Sequence, residues 1–305
     1  MLYNYFYKYD FDNFEEPYRF KINIKNGSKF KFLNNYYEYY FYPREKEQLL
    51  CCYSFSEMDK EGAERQIQFS NNVLQFIFIA PICDKNVYIQ ELDKNKDITV
   101  DYVNISTKKI DILRYISDKI LKFKVERELF EEVIGLHGVA LSCLINNNYE
   151  DSVLYHFKII EKLSKKNYIK FHEKNYTKKV KQTNKNKIRS FIEEYFTKNL
   201  KVRMTENMLS TATDEIYKKL RKEAYSSIFL KISFLCNCKN LLIDSDKVNE
   251  LVKTRNKLAH GDSVEEYVVH NSLRTAILLS QESISLYFFH KKYKDIHIST
   301  DIFYD

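Results

Sequence analysis

Proline and glycine are distributed unevenly along this 305-residue chain, and this constrains its fold more than any other feature. All three prolines lie before residue 82, and only three of the five glycines follow residue 122. From Glu126 to about Lys292, apolar residues recur every three or four positions, which is the period of an amphipathic helix. Few residues in this stretch would break a helix. We therefore predict an all-α bundle over residues 123–305, with helices near 126–146, 150–166, 186–199, 213–235, 246–260 and 264–291.

Residues 1–122 have a different pattern, which predicts a mixed α+β domain. Apolar and polar residues alternate in several short segments, as in half-buried strands, and change to a helical period between them. Asn26-Gly27 is typical of a hairpin turn. This half contains no glycine-rich phosphate loop and no catalytic pair of carboxylates, so we expect a sensing or regulatory role. Strands are predicted at 18–24, 29–32, 49–55, 87–92 and 98–105, and helices at 59–80 and 108–123.

Composition indicates a globular protein, with 44% hydrophobic and 30% charged residues. The chain has no run of about 18 apolar residues, and its first residues lack the basic start and cleavage site of a signal peptide. We therefore expect a cytoplasmic protein without a membrane span. The cysteines do not have the paired spacing of a zinc site, so we expect reduced, packed thiols and no metal or other cofactor. They lie at positions 51, 52, 83, 143, 236 and 238.

The end of the predicted 246–260 helix concentrates polar side chains that can do chemistry. Arg255 falls in the middle of an apolar stripe, and a guanidinium cannot lose its charge, so burial there requires a carboxylate or a polar cleft. Asn256 and His260 are four residues apart and are expected together at one edge of this stripe. Gly261 is suited to stop the helix, and residues 263–266 are typical of a capping box that opens the next one. The stripe consists of Val248, Leu251, Val252, Leu258 and Ala259.

Glu161 is the candidate partner of Arg255. It shares the apolar face of the second predicted helix of the bundle, an equally unusual place for a charge, and such a carboxylate would orient the guanidinium. The alternative interpretation is that Arg255 is a structural ion-pair member and His260 a hydrogen-bonded corner histidine. His137 and His156 also fall on apolar helix faces, where a hydrogen-bonded core histidine is expected.

Arg255, four intervening residues and His260 resemble the Arg-x4–6-His motif of the HEPN superfamily, whose all-α domains act on nucleic acids. The form Arg-Asn-x-x-x-His-Gly is similar to that of many bacterial ribonucleases in this superfamily. The resemblance covers roughly the last 180 residues, which are predicted to be helical. In this chain, as in the HEPN superfamily, the motif helix lies near the C-terminal end of the bundle. The layout of the chain, with an unrelated N-terminal region ahead of such a bundle, is most similar to that of the ApeA-type defence proteins.

The resemblance implies a homodimeric, metal-independent endoribonuclease in which two copies bring their motifs together across a two-fold interface. Arg255 would hold the scissile phosphate, His260 would handle the proton, and Asn256 would orient the phosphate or the imidazole. The implied role is toxin-like growth arrest in antiviral (abortive infection) defence, with transfer or messenger RNA as the target. The N-terminal domain, a regulatory partner or a phage-derived trigger would control it. The alternative is a non-catalytic HEPN module for dimerisation or nucleic-acid binding.

The basic residues are concentrated in the segment 162–203, an insertion relative to a minimal HEPN core. It contains fourteen Lys or Arg and three Glu, a net charge of +11, whereas the rest of the chain sums to −4. Tyr168, Phe171, Tyr176 and Phe191 are interleaved with these cations, a combination suited to gripping phosphates and stacking unpaired bases. A lysine-rich solvated surface is the alternative. We expect RNA to be held by Lys174, Lys178, Lys179, Lys181, Lys185 and Lys187.

Overall fold

The structure is a computed structural model, and it describes eight segments of the chain. These are residues 2–10, 24–42, 47–55, 60–78, 89–92, 102–175, 178–241 and 243–298. They form an antiparallel sheet near the N-terminus, followed by a mostly helical region. This confirms the coarse prediction of an α+β region that precedes a set of helices.

Five strands form one antiparallel sheet in the order β2-β3-β4-β1-β5. Two of them, β1 and β3, were not predicted. In β3 the side chains of Tyr37 and Tyr39 are buried, whereas Tyr36 and Tyr40 on the other face are half-buried. The same residue type therefore occupies both faces and hides the alternation that marks a strand. The strands are β1 (Leu2–Asp10), β2 (Ser28–Phe32), β3 (Asn35–Tyr42), β4 (Glu47–Phe55) and β5 (Ile89–Leu92).

A two-residue turn connects β2 and β3. Leu33 and Asn34 have positive φ angles of 46° and 63°, as in a type I′ hairpin turn. The predicted turn at Asn26-Gly27 is present just before β2, and the strand predicted at 18–24 falls almost wholly outside the described residues. The strand predicted at 98–105 is wrong in its described part, because only a single bridge forms there, between Val103 and Lys29.

Nine α-helices are described, most of them close to their predicted positions. The helix predicted at 213–235 is instead two helices, because Ser227 is extended and its Oγ accepts a hydrogen bond from the Leu230 N–H at 3.3 Å. The predicted capping box at 263–266 is wrong, since the following helix begins at Glu266 and its N-cap Glu265 makes no side-chain capping bond. The helices are α1 (Lys60–Phe78), α2 (Thr107–Leu121), α3 (Arg127–Ile145), α4 (Tyr149–Asn175), α5 (Lys178–Glu194), α6 (Glu206–Ser226), α7 (Ile228–Lys239), α8 (Ser245–His260) and α9 (Glu266–Ile284).

The chain divides into two compact units. The first contains residues 1–159 and 254–305, and the second contains residues 160–253 with the basic segment. This division does not coincide with the predicted boundary at residue 122.

The core of the first unit explains the difference. The Phe76 ring of α1 lies 5.5 Å from His137 of α3 and 4.9 Å from Tyr293, measured between ring centroids. The backbone N–H of Ile298 donates to the Ile77 carbonyl at 2.8 Å. Helix α1, α3 and the C-terminal segment therefore share one core, and a boundary at 122 would cut through it.

Candidate active site

The last turns of α8 carry the three residues that the sequence predicts to be catalytic. Thr254, just before them, is buried, and its Oγ1 accepts a hydrogen bond from the Ser272 hydroxyl of α9 at 2.9 Å. This bond restricts the rotation of α8 about its axis. Arg255 and Asn256 are therefore presented in a defined direction.

Arg255 is half-buried and contacts an amide and an aromatic ring. Its Nη1 donates to Asn256 Oδ1 at 3.0 Å, and its Cζ lies 5.0 Å from the centroid of the Phe157 ring of α4. The ring face attracts the cation and leaves its charge intact. The prediction that the apolar stripe continues to Ala259 is wrong, because Ala259 is exposed and Thr254 is the last buried side chain of α8. Arg255 thus lies at the edge of the packed face, where it can meet a ligand.

The C-terminus of α8 places His260 at an exposed corner. The Gly261 N–H donates to the Leu258 carbonyl at 3.1 Å, and the Asp262 N–H donates to the Lys257 carbonyl at 3.0 Å. These two bonds form a Schellman motif, whose left-handed residue favours glycine. Gly261 has a φ of 77°, and among the described residues no atom from beyond its immediate chain neighbours lies within 4 Å of the position of an added Cβ, so backbone conformation selects glycine here. The predicted helix stop is confirmed.

This helix end can bind an oxyanion and move a proton. Arg255 and His260 are five residues apart, which corresponds to about 7.5 Å along the helix axis. A fixed guanidinium stabilises negative charge that develops on a phosphate, and an exposed imidazole can act as a general acid or base. Asn256 accepts from Arg255 through Oδ1 and has its Nδ2 group as a further donor.

Glu161 is half-buried on α4 and forms an ion pair with Lys165, with 2.7 Å between Oε1 and Nζ. The predicted ion pair between Glu161 and Arg255 remains a prediction. Phe157 of α4, one turn before Glu161, contacts Arg255. We did not predict Phe157 as a site residue, because an aromatic residue on an apolar stripe is indistinguishable from core in sequence.

The six lysines predicted to hold RNA belong to α4 and α5. Lys187 is exposed, as an RNA contact requires. Lys185 is half-buried and forms an ion pair with Asp214 of α6, and its Nζ lies 5.6 Å from the centroid of the Tyr217 ring. It therefore connects α5 to α6, a structural role that was not predicted. The side chains of the other four lie outside the described residues, namely Lys174, Lys178, Lys179 and Lys181.

The aromatic residues of the basic segment do not all have the predicted exposure. Tyr168 is buried and packs edge-on against Phe234, at 5.3 Å between centroids, so its predicted role in base stacking is wrong. Phe191 is 69% exposed and stacks on Tyr195 at 6.5 Å with an interplanar angle of 20°. Tyr195 was not predicted, although its spacing of four residues from Phe191 places both rings on one helix face. The side chains of Phe171 and Tyr176 fall outside the described part of the chain.

The buried histidines have core positions. His137 and His156 are fully buried, and His156 Nδ1 lies 2.8 Å from the Ser280 hydroxyl oxygen. Neither ring nitrogen of His137 has a hydrogen-bond partner among the described residues. The prediction of a hydrogen-bonded core histidine is therefore confirmed for His156, whereas His137 has the predicted core position without a hydrogen-bond partner among the described residues.

Within the described ranges, no group of three or more His, Cys, Asp or Glu is placed to hold a metal ion. No helix in the described part of the chain has the length and apolar character needed to cross a membrane.

Comparison of this chain with known protein families, with curated proteins and with solved structures finds no match. The family resemblance therefore depends on the Arg255–His260 motif and on the succession of helices around it.

Proposed function

We propose that the protein is a metal-independent endoribonuclease of HEPN type, in which Arg255, Asn256 and His260 act on an RNA phosphodiester. The observation that carries this proposal is the end of α8. There, a guanidinium held between Asn256 and Phe157 is followed five residues later by an exposed imidazole at a capped corner.

The reaction follows from the chemistry of these groups. The ribose 2′-oxygen attacks the adjacent phosphorus as a base removes its proton, and the 5′-oxygen leaves with a proton from an acid. The products are a 2′,3′-cyclic phosphate and a 5′-hydroxyl. Arg255 stabilises the negative charge that develops on the phosphoryl oxygens. A dimer that brings two copies of His260 together, as in the family that the chain resembles, would supply one imidazole as base and one as acid.

The proposed substrate is cellular RNA, including transfer RNA. The basic segment supports this, with Lys187 exposed and Phe191 available to stack on an unpaired base. The proposed role is toxin-like growth arrest in abortive infection, in the cytoplasm, under the control of the N-terminal region, a regulatory partner or a phage-derived trigger.

The test is induction of the full-length chain in a bacterial host, beside Arg255→Ala and His260→Ala, with growth and total RNA followed. We expect arrest and discrete RNA fragments with cyclic phosphate ends from the wild type, and neither effect from the two variants. Lys257→Ala is the matched control, because it removes an exposed cation of the same helical turn at a variable position of the motif. Cleavage by the purified protein should persist in a metal chelator.

The opposite result would favour a different function. RNA that binds the wild type and His260→Ala equally, and that neither protein cuts, would favour the non-catalytic HEPN module. Helix α6 exposes three apolar side chains that would then suit dimerisation, those of Met208, Ile216 and Leu220.

A further inference from the structure

A cleft in the first compact unit has the size and lining of a small-molecule site. Its volume is about 530 Å³, which lies within the range of small-molecule binding pockets. Helix α1 forms one wall, and the Leu33–Asn34 turn and the adjoining ends of α2 and α3 form the others. None of the residues that line it belongs to α8.

One side of the cleft carries a planar cationic platform. Arg127 is the first residue of α3, and its Cζ lies 4.2 Å from the centroid of the Phe69 ring of α1. Its side chain remains 36% exposed, and it lines the cleft. A guanidinium stacked on a phenyl ring presents its second face to a planar ligand ring, and nucleobases stack well on such a surface.

Arg65 is the second cation of the cleft, and it lies on α1, one turn before Phe69. Its Nη1 lies 3.1 Å from Glu61 Oε1, and both side chains of this pair are mostly exposed. An exposed pair of this kind contributes little stability. A phosphate that accepts two parallel hydrogen bonds from the guanidinium can therefore replace Glu61.

The remaining polar groups suit a nucleoside better than a bare phosphate. Asn72 accepts a hydrogen bond from Gln75 Nε2 at 3.3 Å through Oδ1, which leaves its Nδ2 group to donate to a ligand. A Cβ at Gly138 would come within 2.9 Å of that Oδ1, so the glycine provides space for the Asn72 amide. Glu131 forms an ion pair with Arg127 and can accept hydrogen bonds from sugar hydroxyls or from a base amino group.

We propose that this cleft binds a nucleoside monophosphate. The base stacks on Arg127, the phosphate binds Arg65, and the sugar or base edge contacts Asn72 and Glu131. The described lining residues include two arginines and one glutamate, so the site has a net positive charge once the phosphate displaces Glu61 from Arg65, and this suits a phosphate monoester. The bound nucleotide would be the ligand for the sensing role predicted for the N-terminal region. This proposal does not depend on the proposed RNA cleavage.

The experiment is calorimetric titration of the full-length protein with AMP, GMP, CMP and UMP, and with inorganic phosphate as the reference ligand. We expect at least one nucleotide to bind with one-to-one stoichiometry, about tenfold or more tightly than inorganic phosphate. Arg65→Ala should weaken this binding about tenfold or more, because it removes the phosphate contact. Arg127→Lys keeps the charge but removes the planar platform, and it should weaken nucleotide binding far more than phosphate binding.

Two controls locate the binding. Arg114→Ala removes a cation of α2 that lies over the Tyr102 ring, outside the cleft lining, and should leave the affinity unchanged. His260→Ala should also leave it unchanged. Binding lost in His260→Ala but kept in Arg65→Ala would assign the nucleotide to α8 and overturn the proposal. Failure of all four nucleotides to bind at about 1 mM would also overturn it. Because Arg65 is exposed, we expect Arg65→Ala to fold, and this variant tests the proposal even if Arg127→Lys fails to fold.

Discussion

Acid should destabilise the first compact unit through two buried histidines. His137 of α3 and His156 of α4 are fully buried, with ring centroids 5.6 Å apart. Burial lowers the pKa of His137 from 6.5 to about 3. Burial, together with the nearby His137, lowers the pKa of His156 well below its usual value. The His137 ring is therefore neutral in the folded protein at pH 5.

The sign and size of the effect follow from proton linkage. Between pH 6.5 and about 3 the unfolded chain binds a proton at His137 that the folded chain does not, so the stability falls as the pH falls. From pH 7 to pH 5 this costs about 2 kcal/mol for His137 alone. His156 adds to the loss in the same direction.

Urea unfolding followed by far-UV circular dichroism at pH 7 and pH 5 measures this difference, and hydrogen exchange of α3 peptides assigns it to this unit. His137→Leu removes the titrating ring, and both ring nitrogens lack partners among the described residues, so no hydrogen bond is lost. Any change in packing acts equally at both pH values. The stability difference between them should therefore shrink by about 2 kcal/mol.

His290→Asn is the matched control. It removes an exposed histidine whose φ of 57° asparagine accepts, and it should leave the wild-type pH dependence unchanged. If His137→Leu loses as much stability between pH 7 and pH 5 as the wild type, the burial of a neutral His137 is not the cause of the acid sensitivity.

Three further predictions concern the ends of α8 and α5. Gly261→Ala should destabilise the protein by about 1 kcal/mol in urea unfolding, because alanine resists a φ of 77°, whereas Gly261→Asn should cost much less. Equal losses from both variants would contradict the conformational reason. Arg255→Lys keeps the charge but loses the planar contact with Phe157 and should slow RNA cleavage about tenfold or more, so an unchanged rate would exclude the guanidinium from phosphate stabilisation. Phe191→Ala should weaken single-stranded RNA binding by about 1–3 kcal/mol in a titration, whereas alanine at the exposed Leu200 should change it little. The stacking role fails if both substitutions have the same effect.

Local pattern accounts for what could be predicted of the fold. The helices were found from the sequence because their apolar period repeats over many turns and few breakers interrupt it. Ser227 separates α6 from α7 through one extended residue, and such a single conformational choice has no periodic signature. Tyrosines on both faces concealed β3, since strand prediction depends on a difference between faces.

The proposed catalytic motif is predictable for the same local reason. Arg255, Asn256 and His260 lie within one helix, so α-helical geometry alone determines their spacing, and Gly261 ends that helix by its own backbone preference.

The surroundings of these residues depend on contacts between distant parts of the chain. Phe157 and Arg255 meet although they lie far apart in the chain, and the Arg127–Phe69 platform forms only where α3 packs on α1. The first unit joins the N-terminal sheet and α1 to the C-terminal segment in one core, although the sequence pattern changes near residue 122. Sequence by itself thus determined the helices and the chemistry that each one carries. Tertiary structure decided which of these groups meet, because burying apolar surface selects partners by shape rather than by distance along the chain.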